Sequence, residues 1–182
     1  MKTSTLLAIT SLAILAGCSS MSAKEYAKEQ PTFDMVKYLT GHTEAWGLAQ
    51  SRSGDVVRRF RIEMDGVAVG DDEVKVTEHD FYSDGKTEQH EWVIRDTGPH
   101  SVTAESDQLD GPATGEQYGN TLNLHYTLKV RMADGSEQEF TVSDWFFLQD
   151  DCHLINRTYG SKWSFHAFDV MTFFDKGTCG SK

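Results

Sequence analysis

The chain has 182 residues, 17 of them basic and 28 acidic, giving a formal charge of −11 at neutral pH. This length suits one domain large enough to bury a core. The acidic balance excludes nucleic acid, whose phosphates require a basic face, and disfavours lying flat on anionic lipid by charge alone.

The first residues have the three-part layout of a secretory signal. Lys2 supplies the positive charge, and Leu6 to Leu15 is apolar except for Thr10 and Ser11. The small residues Ala16 and Gly17 then precede Cys18. The apolar run is about half the ~20 residues a membrane-spanning helix needs. Leu15-Ala16-Gly17-Cys18 fits a lipoprotein signal-peptidase box. The expectation is therefore that residues 1–17 are removed and that the Cys18 thiol takes a diacylglyceryl group. Several acyl chains, at about 0.8 kcal/mol per buried methylene, make a firm anchor. Ser19, rather than aspartate, leans towards the outer membrane, facing the periplasm. Residues 18–32 read as a lipidated tether; Ser20 to Gln30 are polar, with no periodic apolar pattern. Removal of residues 1–17, in which Lys2 is the one charged side chain, leaves 165 residues and a charge of −12.

Two cysteines remain, Cys152 and Cys179. In an oxidising compartment they form a disulfide that pins the tail, 177–182, or stay as two free thiols. No Cys-x-x-Cys spacing occurs.

Residues 33–176 read as the folded domain. Phe33 to Leu39 has apolar residues at helical and strand spacing both, which suggests a short helix or turn stopped by Gly41. After that, period two dominates. Over 121–132, Leu122, Leu124, Tyr126, Leu128, Val130 and Met132 share one face. The segments 55–64 and 136–149 alternate likewise, and 42–51, 73–82, 86–96, 100–106, 113–119, 152–159 and 164–175 are further strand candidates. Ser53-Gly54-Asp55, Ser83-Asp84-Gly85, Gly119-Asn120 and Ala133-Asp134-Gly135 carry hairpin chemistry. About nine or ten short-linked antiparallel strands point to an all-β, lipocalin-like (calycin-type) barrel, closure removing exposed edges. A two-sheet sandwich is the rival.

Alternation also puts charges on apolar faces. Arg58 falls with Val56, Phe60 and Ile62; Glu78 and Asp80 with Val74 and Val76; Asp144 with Phe140, Val142 and Phe146. His90 shares a face with Trp92 and Ile94. An inward charge is costly unless paired. Three accounts stay open: internal pairing of Arg58 with Glu78, Asp80 or Asp144; a bulge that shifts the register; or a ligand site in which the Arg58 fork meets an acidic head group. Seven histidines form no His-x-His or His-x-x-x-His pair, so no metal is expected. No nucleophile elbow, P-loop or dinucleotide fingerprint appears, so no catalytic residue and no cofactor is assigned.

Val57-Arg58-Arg59-Phe60, Asp144-Trp145-Phe146-Phe147-Leu148-Gln149-Asp150-Asp151 and Leu154-Ile155-Asn156-Arg157 resemble an uncharacterised proteobacterial lipoprotein family, a domain of unknown function; so do Trp46-Gly47, Gly111-Pro112-Ala113 and Gly115. The resemblance covers most of 33–175. It implies a lipocalin-like lipoprotein whose relatives tend to be encoded near enzymes that modify membrane fatty acids, and it brings no catalytic residues. The tail with Cys179 goes beyond the pattern. True lipocalins carry Gly-x-Trp early and an Arg over the indole; Trp46 and Arg157 match loosely and suggest a cation–π contact closing one barrel end.

Three functions follow as expectations. The first is a membrane-tethered barrel that binds a fatty-acyl or lipid-like ligand, with Arg58, Glu78, Asp80, His90, Trp92 and Asp144 as the candidate site. The second is a structural or assembly lipoprotein with a protein partner. The third is a lipid-modifying isomerase or hydrolase working in the barrel mouth through Asp144, Glu78, Asp80 and His90.

Overall fold

The computed structural model describes residues 21–132 and 134–177. The signal segment 1–17, Cys18 and Cys179 lie outside the described residues. Ten antiparallel strands follow one short helix, α1 (Met35–Leu39): β1 (Gly41–Ser51), β2 (Val56–Ala68), β3 (Glu73–Tyr82), β4 (Thr87–Asp96), β5 (Ser101–Ser106), β6 (Ala113–Tyr118), β7 (Thr121–Arg131), β8 (Glu137–Leu148), β9 (His153–Lys162) and β10 (Phe165–Asp175). Each strand pairs with its sequence neighbours, and β1 pairs with β10, so the sheet is a closed barrel. The sandwich alternative is thereby excluded.

The alternation read from the sequence is what fills the barrel. Leu122 and Leu124 of β7, Val142 and Phe146 of β8, Val74 and Val76 of β3 and Leu154 of β9 are buried and face inward. Three hairpin glycines, Gly54, Gly85 and Gly135, have φ of 83–89°, a region that costs glycine nothing. β2 runs past its expected end because Gly66 lets it pass under the helix. A Cβ there would lie 1.8 Å from the Leu39 carbonyl oxygen.

α1 closes one end of the barrel. Asp34 caps it, its Oδ1 accepting from the Lys37 amide at 2.9 Å, which satisfies one free donor of the first turn. Met35, Val36, Tyr38 and Leu39 are all buried. The Tyr38 hydroxyl donates to the Cys152 carbonyl at 2.7 Å. The Lys176 ammonium donates to the Thr40 carbonyl at 2.8 Å and also to that of Tyr38. This end is the floor. The mouth lies opposite, at the β1–β2, β3–β4, β7–β8 and β9–β10 hairpins. Cys152 is buried and disulfide-bonded at the floor.

Two expectations are corrected. The tether segment is not without structure: Ala23–Tyr26 forms a 3-10 turn. It packs on the outer wall at β6 and β7, with Tyr26 edge-on to Phe147 at 5.6 Å. The signal is the apolar pair Ala23 and Tyr26, too short to show periodicity. The Trp46–Arg157 contact does not form. Register sets Trp46 against Phe173 and Arg157 against Met171, all on the outer wall. Arg157 leans along its own strand and stacks on Tyr159, 4.6 Å from the ring centroid.

Gly66→Ala must push backbone against backbone, which cannot relax as a flexible side chain can. It is expected to destabilise the barrel by about 3 kcal/mol, lowering the thermal midpoint by roughly 6–12 °C in a chain of this size. Gly98→Ala, where the nearest atom would be 3.6 Å away, is expected to leave it unchanged. Equal melting of both variants would refute the close approach.

Candidate functional site

Between floor and mouth lies a cavity of about 260 Å³. Its walls are mainly apolar, from Met35 and Leu39 at the floor to Leu128 and Phe168 near the mouth. Set into this surface are Glu78 and Asp80 of β3, Trp92 of β4, Tyr126 of β7, Asp144 of β8, and Asn156 and Thr158 of β9. Every one occupies an inward position in its strand.

Asp144 is the best-held of the acids. Its Oδ1 accepts from Asn156 Nδ2 at 2.5 Å and from Thr158 Oγ1 at 2.7 Å. Its Oδ2 accepts from the Tyr126 hydroxyl at 3.0 Å. Burial pushes the Asp144 carboxyl above its ordinary range, and the three donors offset part of that rise. All three are neutral; no described salt bridge includes Asp144.

Glu78 and Asp80 stand two residues apart on one face of β3. Burial, and then the neighbouring Asp80, raise Glu78 to about 8, while the Trp92 indole offsets a little of this. Glu78 is only half-buried by area, because the surface it shows belongs to the cavity. Asp80 is buried, and that burial raises it too, against the opposing influence of His90. His90 is the cross-strand partner of Glu78 and shares the inner face with the pair. Its Nε2 is 3.8 Å from Asp80 and 3.7 Å from Glu88, and its Nδ1 is 3.1 Å from Asp107. The Trp92 Nε1–H is buried and faces Glu78, close enough to lower the pKa of its carboxyl a little but without a well-formed hydrogen bond to it.

The structure therefore brings Glu78, Asp80, Trp92 and Asp144 around one cavity, with His90 beside Asp80 but not in the cavity lining. Arg58 does not join them, and the expected internal ion pairs with Glu78, Asp80 or Asp144 are absent from the described salt bridges. The register slips between Ala49 and Gln50, so that Arg58 pairs with Ala49 but Val56 with Gln50. The slip falls at Val57, beyond Arg58, so Arg58 keeps the inner-face register of Phe60 and Ile62 but stands above the cavity, at the mouth end of β2. Arg58 is exposed there, its guanidinium 4.4 Å over the Tyr82 ring. Tyr126, Asn156 and Thr158 were not among the residues singled out from the sequence. Alternation with Leu154 puts Asn156 and Thr158 on the inner face, which is the signal that could have found them.

No group of three or more metal-ligating side chains occurs among the described residues. The acids can hold protons, donate through a protonated carboxyl, and accept from a hydroxyl or amide. They cannot neutralise an anion.

A buried carboxyl whose folded pKa is raised stabilises the fold least where it must ionise. For Glu78 the window runs from its ordinary 4.5 up to about 8, and stability falls as pH rises through it. Glu78→Gln removes that loss. The variant is expected to melt close to the parent near pH 5 and clearly above it at pH 9, the gap being of order a few kcal/mol at about 1.4 per pKa unit. A gap that does not grow with pH would show that Glu78 ionises freely.

The fold has solved counterparts. The structure of the S-type phycobiliprotein lyase CPES from Guillardia theta superposes with a TM-score of 0.55 at 8% identity, covering 89% of this chain and 95% of that one. That of Rv2717c from M. tuberculosis superposes with a TM-score of 0.56 at 15% identity, covering 82% of this chain and 99% of that one. At such identities the likeness is one of fold, a lipocalin-like barrel. Comparison with curated proteins finds no match. The profile of the proteins of unknown function DUF3833 matches residues 12–176, from the apolar leader to the last residue before the tail, and the chain belongs to that family.

Proposed function

We propose that this protein is a membrane-tethered periplasmic lipoprotein whose barrel holds one small, largely apolar molecule of fatty-acyl type with a neutral, oxygen-bearing head. The observation that carries this reading is an apolar cavity with a few hydrogen-bonding side chains and no Lys or Arg in its lining. Its volume, about 260 Å³, is just under the roughly 300–1,000 Å³ of ordinary ligand pockets. That favours a single chain over a two-chain lipid. The Trp92 N–H, which lacks a well-formed hydrogen bond, supports an oxygen acceptor in the ligand, since a buried donor left unmade is costly. A carboxylate head is disfavoured, because no cation lines the cavity and the nearby acids repel it. An ester, alcohol or protonated acid suits it. The tether through Cys18 rests on the sequence alone.

The outer wall supports a second reading. Ile155, Phe173 and Trp46 are exposed, and register sets them in one row across β9, β10 and β1. Such a row suits a protein partner.

Native mass spectrometry of the full chain, purified from its own host in mild detergent, tests the first reading. One single-chain adduct per barrel is expected. Trp92→Phe keeps the ring and loses the N–H, so affinity is expected to fall about two- to tenfold. Retention is expected to decline as pH passes about 8, where Glu78 ionises. A bare barrel that also gains no thermal stability from added single-chain lipids would sink the carrier reading.

A further inference from the structure

The mouth carries a surface unlike the rest of the molecule. At the β9–β10 turn Trp163 is 84% exposed and Phe165 67%; at the start of β2, Val57 is 65% exposed, with Val56 beside it. The two hairpins are neighbours, because β1 pairs with β10 up to Ser51 and Phe168. Large apolar side chains at hairpin tips gain nothing from water. They are interleaved with cations: Arg52, Arg58 and Arg59 around the β1–β2 turn, and Lys162, whose ammonium lies 5.1 Å from the Trp163 ring. The acids nearby are Asp55 and Asp84 in the turns, Asp169 of β10, paired with His166, and Glu137 and Glu139 of β8, which share a groove with Lys162 and Trp163. In a chain of charge −11, it is the β1–β2 side of this corner that is locally basic, Arg52, Arg58 and Arg59 standing against Asp55.

The N-terminal segment leads to the same end. Phe33 is tied near the floor, its amide donating to the Gly119 carbonyl at 2.7 Å. Going back along the chain, the segment climbs the outer wall. Gly119 packs against the Tyr26 carbonyl, and Met21 to Ala23 lie beside Thr114 and His125, which face each other in the upper half of the β6–β7 pair. The chain thus points mouthward at Met21. His125 is the fifth of the eleven residues of β7, so Met21 stands about midway up the wall. Two residues lie between Met21 and Cys18, a reach of at most about 11 Å, so an acyl anchor on Cys18, carried on in the direction of the climb, lies nearer the mouth than Phe33 does.

We propose that the barrel sits mouth-down on the membrane, with Trp163, Phe165, Val56 and Val57 entering the headgroup layer and Arg52, Arg58, Arg59 and Lys162 meeting anionic lipid phosphates. The occupant of this surface is the bilayer. Aromatic and apolar tips seat at the interface, and clustered cations orient on anionic headgroups. The net negative charge of the rest keeps the side walls and floor off the membrane. The cavity then opens towards the lipid layer rather than the aqueous periplasm. The proposal rests on the tethered-carrier reading for its anchor, and the test separates the two.

The acylated full chain is reconstituted into vesicles of phosphatidylethanolamine and phosphatidylglycerol that include brominated lipids, which quench tryptophan on contact. Trp163 and Trp46 mark the two rival faces, mouth and side wall. Trp163→Asn suits the turn, since φ at this position is 52° and asparagine tolerates positive φ. It is expected to abolish at least half of the quenching, while Trp46→Phe leaves it intact. Exchanging phosphatidylglycerol for phosphatidylcholine, or Arg52 and Arg59 for glutamate, is expected to weaken quenching about twofold. Quenching that survives Trp163→Asn but vanishes with Trp46→Phe puts the side wall on the membrane and overturns the proposal. Insensitivity to lipid charge overturns the role of the cations. Palmitate labelling lost on Cys18→Ser reads the anchor independently. A labelled chain with no quenching overturns the docking alone, and a chain that never takes label overturns both.

Discussion

Everything inside this barrel depends on the pairing of its first strand with its last. Eight residue pairs, from Glu44 with Asp175 to Ser51 with Phe168, join β1 to β10. With that seam shut, Asp144, Glu78 and Asp80 are cut off from water and must keep protons or find donors. With it open, they would be ordinary hydrated carboxylates and the cavity would be a groove. The seam is also the strand pairing of longest range in the fold. Its partners lie more than a hundred residues apart, so the entropy of closure is met before the contact repays it.

Around Asp144 and Glu78 the interior solves the problem of buried charge without an ion pair; Asp80 alone has a basic neighbour, His90, at 3.8 Å. A buried carboxylate opposite a cation is often no more stable than an apolar substitute. Here no Lys or Arg enters. Asp144 is surrounded by a hydroxyl, a phenol and an amide, and Glu78 keeps its proton in company with Asp80. The result is a polar patch rich in hydrogen-bonding capacity, in which burial raises all three carboxyls above their ordinary ranges. Such a patch discriminates by chemistry: it tolerates a neutral oxygen and repels an anion, although apolar walls alone would admit both. The mouth differs in character, with Arg52, Arg58 and Arg59 exposed on its β1–β2 side, so an anionic group would be met there at the rim.

Much of this was legible in the amino-acid order. Strict alternation in Leu122 to Val130 gives β7 its inner face, and turn residues such as Asp84-Gly85 set the hairpins. The same alternation puts Glu78, Asp80 and Asp144 inside. What escaped has physical causes. Arg58 does follow the apolar register of Phe60 and Ile62, but alternation gives a face and not a height along the strand, and at the mouth end of β2 that face opens to solvent. The docking of Tyr26 on Phe147 is one ring on another, with no repeat to announce it. The Trp46–Arg157 pairing failed because a contact across strands depends on register, and register is set by the whole sheet rather than by two residues. The partners of Asp144 were visible as polar residues beside Leu154, though only a three-dimensional view shows that they converge on one carboxyl.

Closure has a further consequence, for how this protein can be recognised. Many β-domains take a partner by adding a strand, the backbone of one chain completing the ladder of the other. That route needs a sheet edge, and among the described residues every strand here has a neighbour on both sides. Main-chain groups along the wall are already committed. Recognition from outside must therefore rest on side chains, such as the rings and cations at the mouth or the row through Trp46, or on the hairpin tips. Surface substitutions should consequently alter the company this barrel keeps far more readily than they alter its ladder.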